Sequence, residues 1–600
     1  MQRGHRRPGA SKPKDFKGTV KALFAYLRGY RIILLVATLM AALGTAMQIF
    51  GPKVMGKATT AIFEGVAAKM RGTGGIDFAR IWDMLLILIA LYLVGTVLSV
   101  VQGLLLANLS TDVSYRMRKD ISQKIHRLPL SYFEEHPVGE TLSRITNDVD
   151  AVGRNLSQSI TQSISSLTTL IGILIMMLTI SPLMALLVVA IAPLSGVLMA
   201  MVFKRSQKYF TAQQGLLSDI NTQVEESYGG HQVITAFGHT KKSLEMFDQT
   251  NEKLYESAWK SQFMSGLIHP LMTFVGNVGY VLVVVVGSVL ASAGSLAPGD
   301  ILAFIQYARN FTGPIAQFAQ ISTQLQTMVA AAERVFEFLN AQEETEREQL
   351  LPVGEVEGRV LLDKVGFGYD KDKPVIKGFT CDVKPGQTVA IVGHTGAGKT
   401  TMVKLLMRFY DVDEGAILVD GQDVRNHKRQ DLRQAFGMVL QDTWLFSGTI
   451  MENIRYGRPD ATDEEVIAAA KAAHADHFIR TLSGAYDMQL NEEADNISQG
   501  QRQLLTIARA LLADNPIMIL DEATSNVDTL TELRIQRAMQ TLMQGRTSFV
   551  IAHRLSTIRE ADVILVMQDG NIVEQGAHDD LIALDGVYAE LYNSQFDPVN

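Results

Sequence analysis

Cysteine is almost absent from this 600-residue sequence, with Cys381 standing alone. A single thiol excludes an intrachain disulfide, which fits a chain whose soluble part stays in a reducing compartment, and the residue reads as a small buried apolar group. An excess of basic charge is also lacking. The formal net charge is -7, small for this length, so there is no nucleic-acid footprint and no nucleic-acid partner is expected. The local exception is the first 31 residues, where a run of Arg and Lys faces a single acid, Asp15. That tail reads as the cytosolic flank of a membrane anchor. The first apolar run, Arg31 to about Pro52, is not followed by a convincing small-residue cleavage site, so it reads as a retained anchor.

What the sequence has in abundance is apolar length. Hydrophobic residues make up 47% of it, and the apolar runs crowd the first 330 residues while charge and turn signals thicken after about Glu343. Two regimes in one chain predict a multidomain protein. Six stretches are long enough to cross a bilayer: 31 to 52, 82 to 108, 160 to 180, 183 to 203, 268 to 293 and 301 to 325. The first regime is thus predicted to be an all-α six-helix transmembrane domain, 31–330, preceded by a basic tail and an interfacial helix in 1–30. A linker, 331–357, leads to an α/β domain, 358–600. The connections 110 to 156 and 204 to 265 bear Lys and Arg, whereas "TISPL" and "ASAGSLAPGD" have none, which puts the N-terminus in the cytoplasm. The outward loop after the first span runs against this rule with Lys53, Lys57, Lys69, Arg71 and Arg80. Periodic flanks such as "NLSTDVSYRMRKDISQKIHRL" predict helices that continue about 30 Å beyond the bilayer, with turns at "YFEEHPVGETLSRITNDVD" and "YGGHQVITAFG" that press on a soluble domain.

The chemistry lies in the second regime. "VAIVGHTGAGKTTMVKLL" is an apolar strand, a G-x-x-x-x-G-K-T loop and an apolar helix, which is the context a P-loop requires. Gly393, His394, Thr395, Gly396, Ala397, Gly398, Lys399, Thr400 and Thr401 are its candidate phosphate-binding residues. Backbone N–H groups wrap the phosphates, Lys399 reaches the outer ones and the Thr400 hydroxyl ligates Mg²⁺. The strand "PIMILDE" ends on Asp521 and Glu522, at the edge where a parallel sheet binds ligands. Two acids there also suit a helix start. Beside a P-loop they read as a magnesium-shell residue, Asp521, and the general base for water, Glu522. A third strand, "TSFVIAHRL", places His553 within reach of a γ-phosphate.

Taken together, these segments resemble the ATP-binding cassette transporters. "VGFGYDK" offers Tyr369 for stacking on adenine, and "MVLQDTWLFSGTIMENI" resembles the family's Q-loop with Gln441. "ISQGQRQLLTIARALL" resembles the signature, "SNVD" ends on Asp528, and all stand in family order. The resemblance implies a half-transporter of the type IV exporter architecture that binds ATP and Mg²⁺, sits in the inner membrane among its lipids as a multi-pass protein, and pairs with a second such chain. Catalytic roles are implied for Glu522, His553 and Gln441, a metal shell for Thr400, Gln441 and Asp521, and contacts to the ATP opposite for Ser498, Gln499, Gly500, Gln501 and Asp528. The sequence departs from the family's usual L-S-G-G-Q, since residues 497 to 501 read Ile-Ser-Gln-Gly-Gln. An intact Glu522 beside an altered signature resembles one chain of the heterodimeric bacterial multidrug exporters, with one competent and one weak ATP site. A homodimer that tolerates Gln499 is the alternative.

Few ionisable residues occupy the spans, Arg309 being the exception, whereas Gln48, Phe50, Gln102, Asn108, Asn277, Gln306, Tyr307, Phe311 and Phe318 offer polar and aromatic groups. That composition suits a hydrophobic or amphipathic small-molecule substrate exported by alternating access. A lipid flippase would use the same parts, and an ATP-gated channel is the more distant reading.

Overall fold

The computed structural model describes residues 13–347, 354–370, 372–441, 443–521, 528–552 and 555–596. The chain divides into two compact units, Met1–His126 with Val138–Ala341 and Arg127–Pro137 with Gln342–Asn600.

The first unit is helical. Phe16–Tyr26 starts on Asp15, the lone acid of the basic tail, whose carboxylate accepts from Gly18 N and so caps the helix. Arg31–Met70, Phe78–Ile125, Val149–Ile180, Pro182–Gly229 and Ile268–Ser292 follow, with Thr240–Gly266 between the last two. They outrun the apolar stretches on which they are built. Arg31–Met70 has 40 residues, about 60 Å at the helical rise and about twice a hydrocarbon core. It runs on through Pro52, so Lys53, Lys57 and Lys69 belong to a helix and not to the outward loop expected there.

Among the described residues, five helices are long and apolar enough to cross a membrane. The sixth expected span, 301 to 325, is not one of them. It falls in Pro298–Phe311 and Gly313–Leu339, which part at Thr312. The cause is local: Pro314 has no N–H to give and its ring crowds the carbonyl four residues back, while Gln317, Gln320 and Gln324 dilute the apolar run. Small residues let these helices close up, as in lipid, where packing must replace the hydrophobic effect. A Cβ on Gly299 would lie 1.7 Å from the Gly56 carbonyl oxygen. Polar groups pair in the interior: Ser166 Oγ donates to Gln317 Oε1 (2.6 Å) and Gln102 Nε2 to Thr161 Oγ1 (2.9 Å).

The second unit holds two main sheets. The larger has six strands in the order Asn571–Gly576, Val563–Gln568, Thr388–Gly393, Thr547–Ile551, Ile517–Asp521 and Phe436–Val439. Only its first pair is antiparallel. The central strands read as unbroken apolar runs because both faces are covered, and Ile517, Met518, Ile519 and Leu520 are all buried. An antiparallel sheet of Ile376–Val383, Val360–Phe367, Glu414–Val419 and Gln422–Asp423 packs its apolar face into the core on one side. On the other side, Ile450–Arg455, Asp463–Ala472, Asp476–Thr481 and Gln499–Ala513 form a helical layer with its own buried cluster. Cys381 lies in the first of these cores, where burial pushes its thiol up to about 11, as a structural thiol requires.

Candidate nucleotide-binding site

Strand Thr388–Gly393 lies in the middle of the parallel sheet, and helix Lys399–Leu406 follows it, so the turn between them opens at the carboxyl ends of the strands. Gly398 caps that helix at φ 103°, a left-handed conformation, and a Cβ there would lie 2.8 Å from Ile376 Cδ1. Glycine is required on both counts. His394, Thr395 and Gly396 are exposed along the turn, Ala397 is buried beneath it, and Thr400 is exposed on the first helical turn while Thr401 is buried.

Lys399 folds back over this turn, its Nζ donating to the carbonyls of Gly393 (2.6 Å) and His394 (3.1 Å). Burial lowers its pKa, and the charge of Asp521 works against that shift. Lys399 and Asp521 are therefore within electrostatic reach of each other, although the strand Thr547–Ile551 lies between Thr388–Gly393 and Ile517–Asp521. Gln441 is exposed at the bend that follows Phe436–Val439. Glu522 and His553 lie outside the described residues. Thr400, Gln441 and Asp521 offer oxygen donors, the class that Mg²⁺ takes.

Tyr369 is half exposed and lies against the P-loop helix, its hydroxyl 3.2 Å from Thr401 Oγ1. Its ring meets Tyr410 edge-on at 5.3 Å and Phe367 at 5.2 Å, with Lys404 Nζ 5.3 Å from its centroid. Lys404 Nζ also donates to Glu134 Oε1 (2.7 Å), and the Tyr410 hydroxyl donates to Glu134 Oε2 (2.8 Å). Glu134 lies in the short helix Leu130–Glu135, at the first of the two turns expected to reach the soluble domain. Burial alone would raise its carboxyl, but the bonds from Lys404 and Tyr410 outweigh that and hold it below the usual range. A depressed carboxylate pKa means that the contact is fully present above the ordinary value and is lost as pH falls through the lowered one.

The signature residues sit where a helix begins. Ser498 is the N-cap of Gln499–Ala513, its Oγ accepting from Gln501 N while Gln501 Oε1 accepts from Ser498 N, a reciprocal capping box. Gln499 is exposed in the first turn and Gly500 is buried. Gln499 has no positive φ, so a side chain there costs the backbone nothing. Asp528 caps Thr529–Met543 by accepting from Thr531 N, a bond that lowers its pKa. Ser498, Gln501 and Asp528 thus each have a capping task in addition to any contact with nucleotide.

Sequence reasoning missed Glu134, Lys404, Tyr410 and Arg509. Arg509, on the signature helix, donates to Asn453 O (2.9 Å), Trp444 O (3.1 Å) and Asn453 Oδ1 (3.2 Å), and its guanidinium lies over Tyr456 and Phe446. It ties that helix to the segment after Gln441. Replacing Arg509 with Ala removes these bonds and the cation–π contacts, leaving Asn453 Oδ1 its bond from Phe446 N, and is expected to destabilise the domain by about 1 to 3 kcal/mol. Thermal unfolding followed by tryptophan fluorescence checks this through a melting midpoint several degrees lower.

A P-loop at the centre of such a sheet, in one chain with a signature-type helix and a bundle of membrane-length helices, defines a membrane transporter driven by ATP. Residues 34–315 match the family described as ABC transporter transmembrane region, and residues 376–525 match that described as ABC transporter. The chain is 43% identical to the fatty acid ABC transporter ATP-binding/permease protein of Mycobacterium bovis, over 98% of each. It is 35% identical to the ATP-dependent lipid A-core flippase of Syntrophus aciditrophicus, over 85% of each. A probable multidrug resistance ABC transporter ATP-binding/permease protein of Bacillus subtilis is 36% identical over 82% of this chain and 74% of its own length. The chain belongs to the ABC transporters: it carries membrane and ATP-binding domains in one polypeptide, as an ATP hydrolase coupled to transport.

Proposed function

We propose that this chain exports amphipathic compounds bearing hydrocarbon chains, as one member of a heterodimer with a single competent ATP site. The observation that carries the two-chain reading is Gln499. It stands exposed at the start of the signature helix, where the family usually has glycine, while Lys399 and Asp521 on the chain's own P-loop side keep their expected residue types. In this reading the chain's P-loop, Asp521, Gln441, Glu522 and His553 serve the competent site, completed by the other chain's signature. Its own Ser498, Gln499, Gly500 and Gln501 face the weak one. Mg²⁺ held by Thr400, Gln441 and Asp521 would neutralise developing phosphate charge, and Glu522 takes the proton of the attacking water. Closure around ATP reaches the spans through the cytosolic turns, and the cavity opens outward.

The substrate class rests on the bundle and on the relatives named for fatty acid and lipid A-core. Phe50 and Phe318 are open to a ligand, as are Gln48, Asn108 and Asn277. Tyr307, Phe311 and Gln102 are not: they are buried, with Tyr307 OH donating to Ile49 O (2.8 Å), and serve packing. Gln162 Oε1 and Gln324 Oε1 are buried without a hydrogen-bond partner, a polar capacity that a headgroup or hydroxyl would satisfy. ATPase turnover of the chain alone, and with a second half-transporter co-expressed, is the test. Activity confined to the pair, stimulated by long-chain amphiphiles more than by cationic drugs, supports the proposal. Full activity of the chain alone would reassign it as a homodimer, and stimulation by drugs alone would overturn the substrate class.

A further inference from the structure

The Glu134 carboxylate links two things that the proposed cycle treats separately. On one side is the short helix Leu130–Glu135, drawn from the first cytosolic connection between membrane helices but belonging to the second compact unit. On the other is Tyr369, the ring read above as the adenine platform.

The link is short and uses both carboxylate oxygens. Oε1 accepts from Lys404 and Oε2 from Tyr410, so neither donor can move without disturbing the other's anchor. Those same two side chains frame Tyr369. Lys404 presents its ammonium to the ring, and Tyr410 meets it at 89° between ring planes, with Phe367 in contact with both tyrosines. Lys404 lies on the P-loop helix, five residues beyond Lys399. Yet it points to Glu134 and Tyr369, so it is a basic residue of that helix with no part in the phosphate turn. The Lys404 side chain is 23% exposed and that of Glu134 35%, so the charge contact is partly screened by solvent and salt.

We infer that Glu134, Lys404 and Tyr410 are positioning residues for the nucleobase: they hold the Tyr369 ring in its stacking pose and make its occupancy felt at the Leu130–Glu135 helix. A base stacked on the exposed part of the ring shares the π system with the Lys404 ammonium, and the ring's pose is fixed by Tyr410. Both residues report to one carboxylate, so fixing the ring fixes the helix. The converse holds as well, because coupling between two sites is reciprocal. This inference rests on Tyr369 being the adenine platform.

The test uses the ATPase-active complex carrying Glu134→Gln, Tyr410→Phe, Tyr369→Ala, or Glu134→Gln with Tyr369→Ala. Glu134→Gln keeps size and loses the charge, and Tyr410→Phe keeps the ring and loses the hydroxyl, so neither leaves a void. Each is expected to raise KM for ATP by about three- to tenfold, the scale of one charge-assisted hydrogen bond, with kcat moving less than twofold. Each should also lower the substrate carried per ATP hydrolysed. The double variant should be no worse than Tyr369→Ala alone, because residues acting through one another are not additive. If Tyr369→Ala leaves KM unchanged, the adenine platform is wrong and the inference falls with it. If Tyr369→Ala raises KM but Glu134→Gln and Tyr410→Phe do not, or if the double variant is additive, the platform stands and the inference alone is overturned.

Discussion

Glu522→Gln, made in the assembled transporter, is expected to leave ATP binding intact and to lower hydrolysis by about 10² to 10⁴-fold, the contribution of a positioned general base. The argument starts from the strand. Ile517–Asp521 is buried through Leu520 and surfaces at Asp521, and Glu522 follows it directly in the sequence. Glutamine keeps the shape and the hydrogen-bonding reach but cannot accept the proton of the attacking water. The loss belongs in kcat and not in affinity. In a heterodimer whose other ATP site is weak, this one substitution silences the complex. The equivalent change in the other chain does much less. Phosphate release and nucleotide-binding titrations on the same preparation separate the two quantities. Turnover within threefold of the unsubstituted pair would remove Glu522 from the role of base.

Lys399→Ala acts earlier in the cycle and is expected to weaken ATP binding and to cut kcat/KM by about 10²- to 10³-fold, the cost of removing one charged donor from a preorganised site. Burial penalises the Lys399 charge and Asp521 offsets only part of that penalty, so the cation is held in a poorly solvated place where an anionic phosphate is its natural partner. Its bonds to the Gly393 and His394 carbonyls lie on an exposed turn. Losing them leaves the fold intact, and the melting midpoint should barely move. Retained binding of a fluorescent ATP analogue by Lys399→Ala would contradict the assignment.

The parts of this protein that were legible in its sequence share a physical property: their pattern is local. Apolar runs announce the helices, because a bilayer requires continuous apolar length. A strand, a glycine turn and a helix announce the P-loop, because phosphate binding needs all three in one short segment. The sixth span was less legible, since Gly313 and Pro314 divide it and glutamines interrupt it. The length of Arg31–Met70 was hidden for the opposite reason, as basic residues after Pro52 look like a loop to a charge rule yet continue the helix. Of the Glu134 cluster, the turn that carries Glu134 and the ring of Tyr369 were legible, but the contact that joins them was not. Glu134 is separated from Lys404 by 270 residues and from Tyr410 by 276, and Lys404 and Glu134 are each ordinary on their own helix. The signal that could have found them was the aromatic pairing of Tyr369 with Tyr410 at the edge of the P-loop helix. Likewise Ser498 and Asp528 read as nucleotide contacts by resemblance, whereas the structure gives each a helix to cap as well.

ATP-dependent movement of a labelled long-chain amphiphile, measured in proteoliposomes holding this chain and a second half-transporter with the nucleotide-binding domains outward, tests the central claim most directly. The account predicts accumulation in the vesicle lumen that requires ATP and Mg²⁺, stops with Glu522→Gln and fails with this chain alone. ATP hydrolysis at normal rates without any such movement, for amphiphile or drug, would contradict it and leave a gated channel or regulatory ATPase on the same fold.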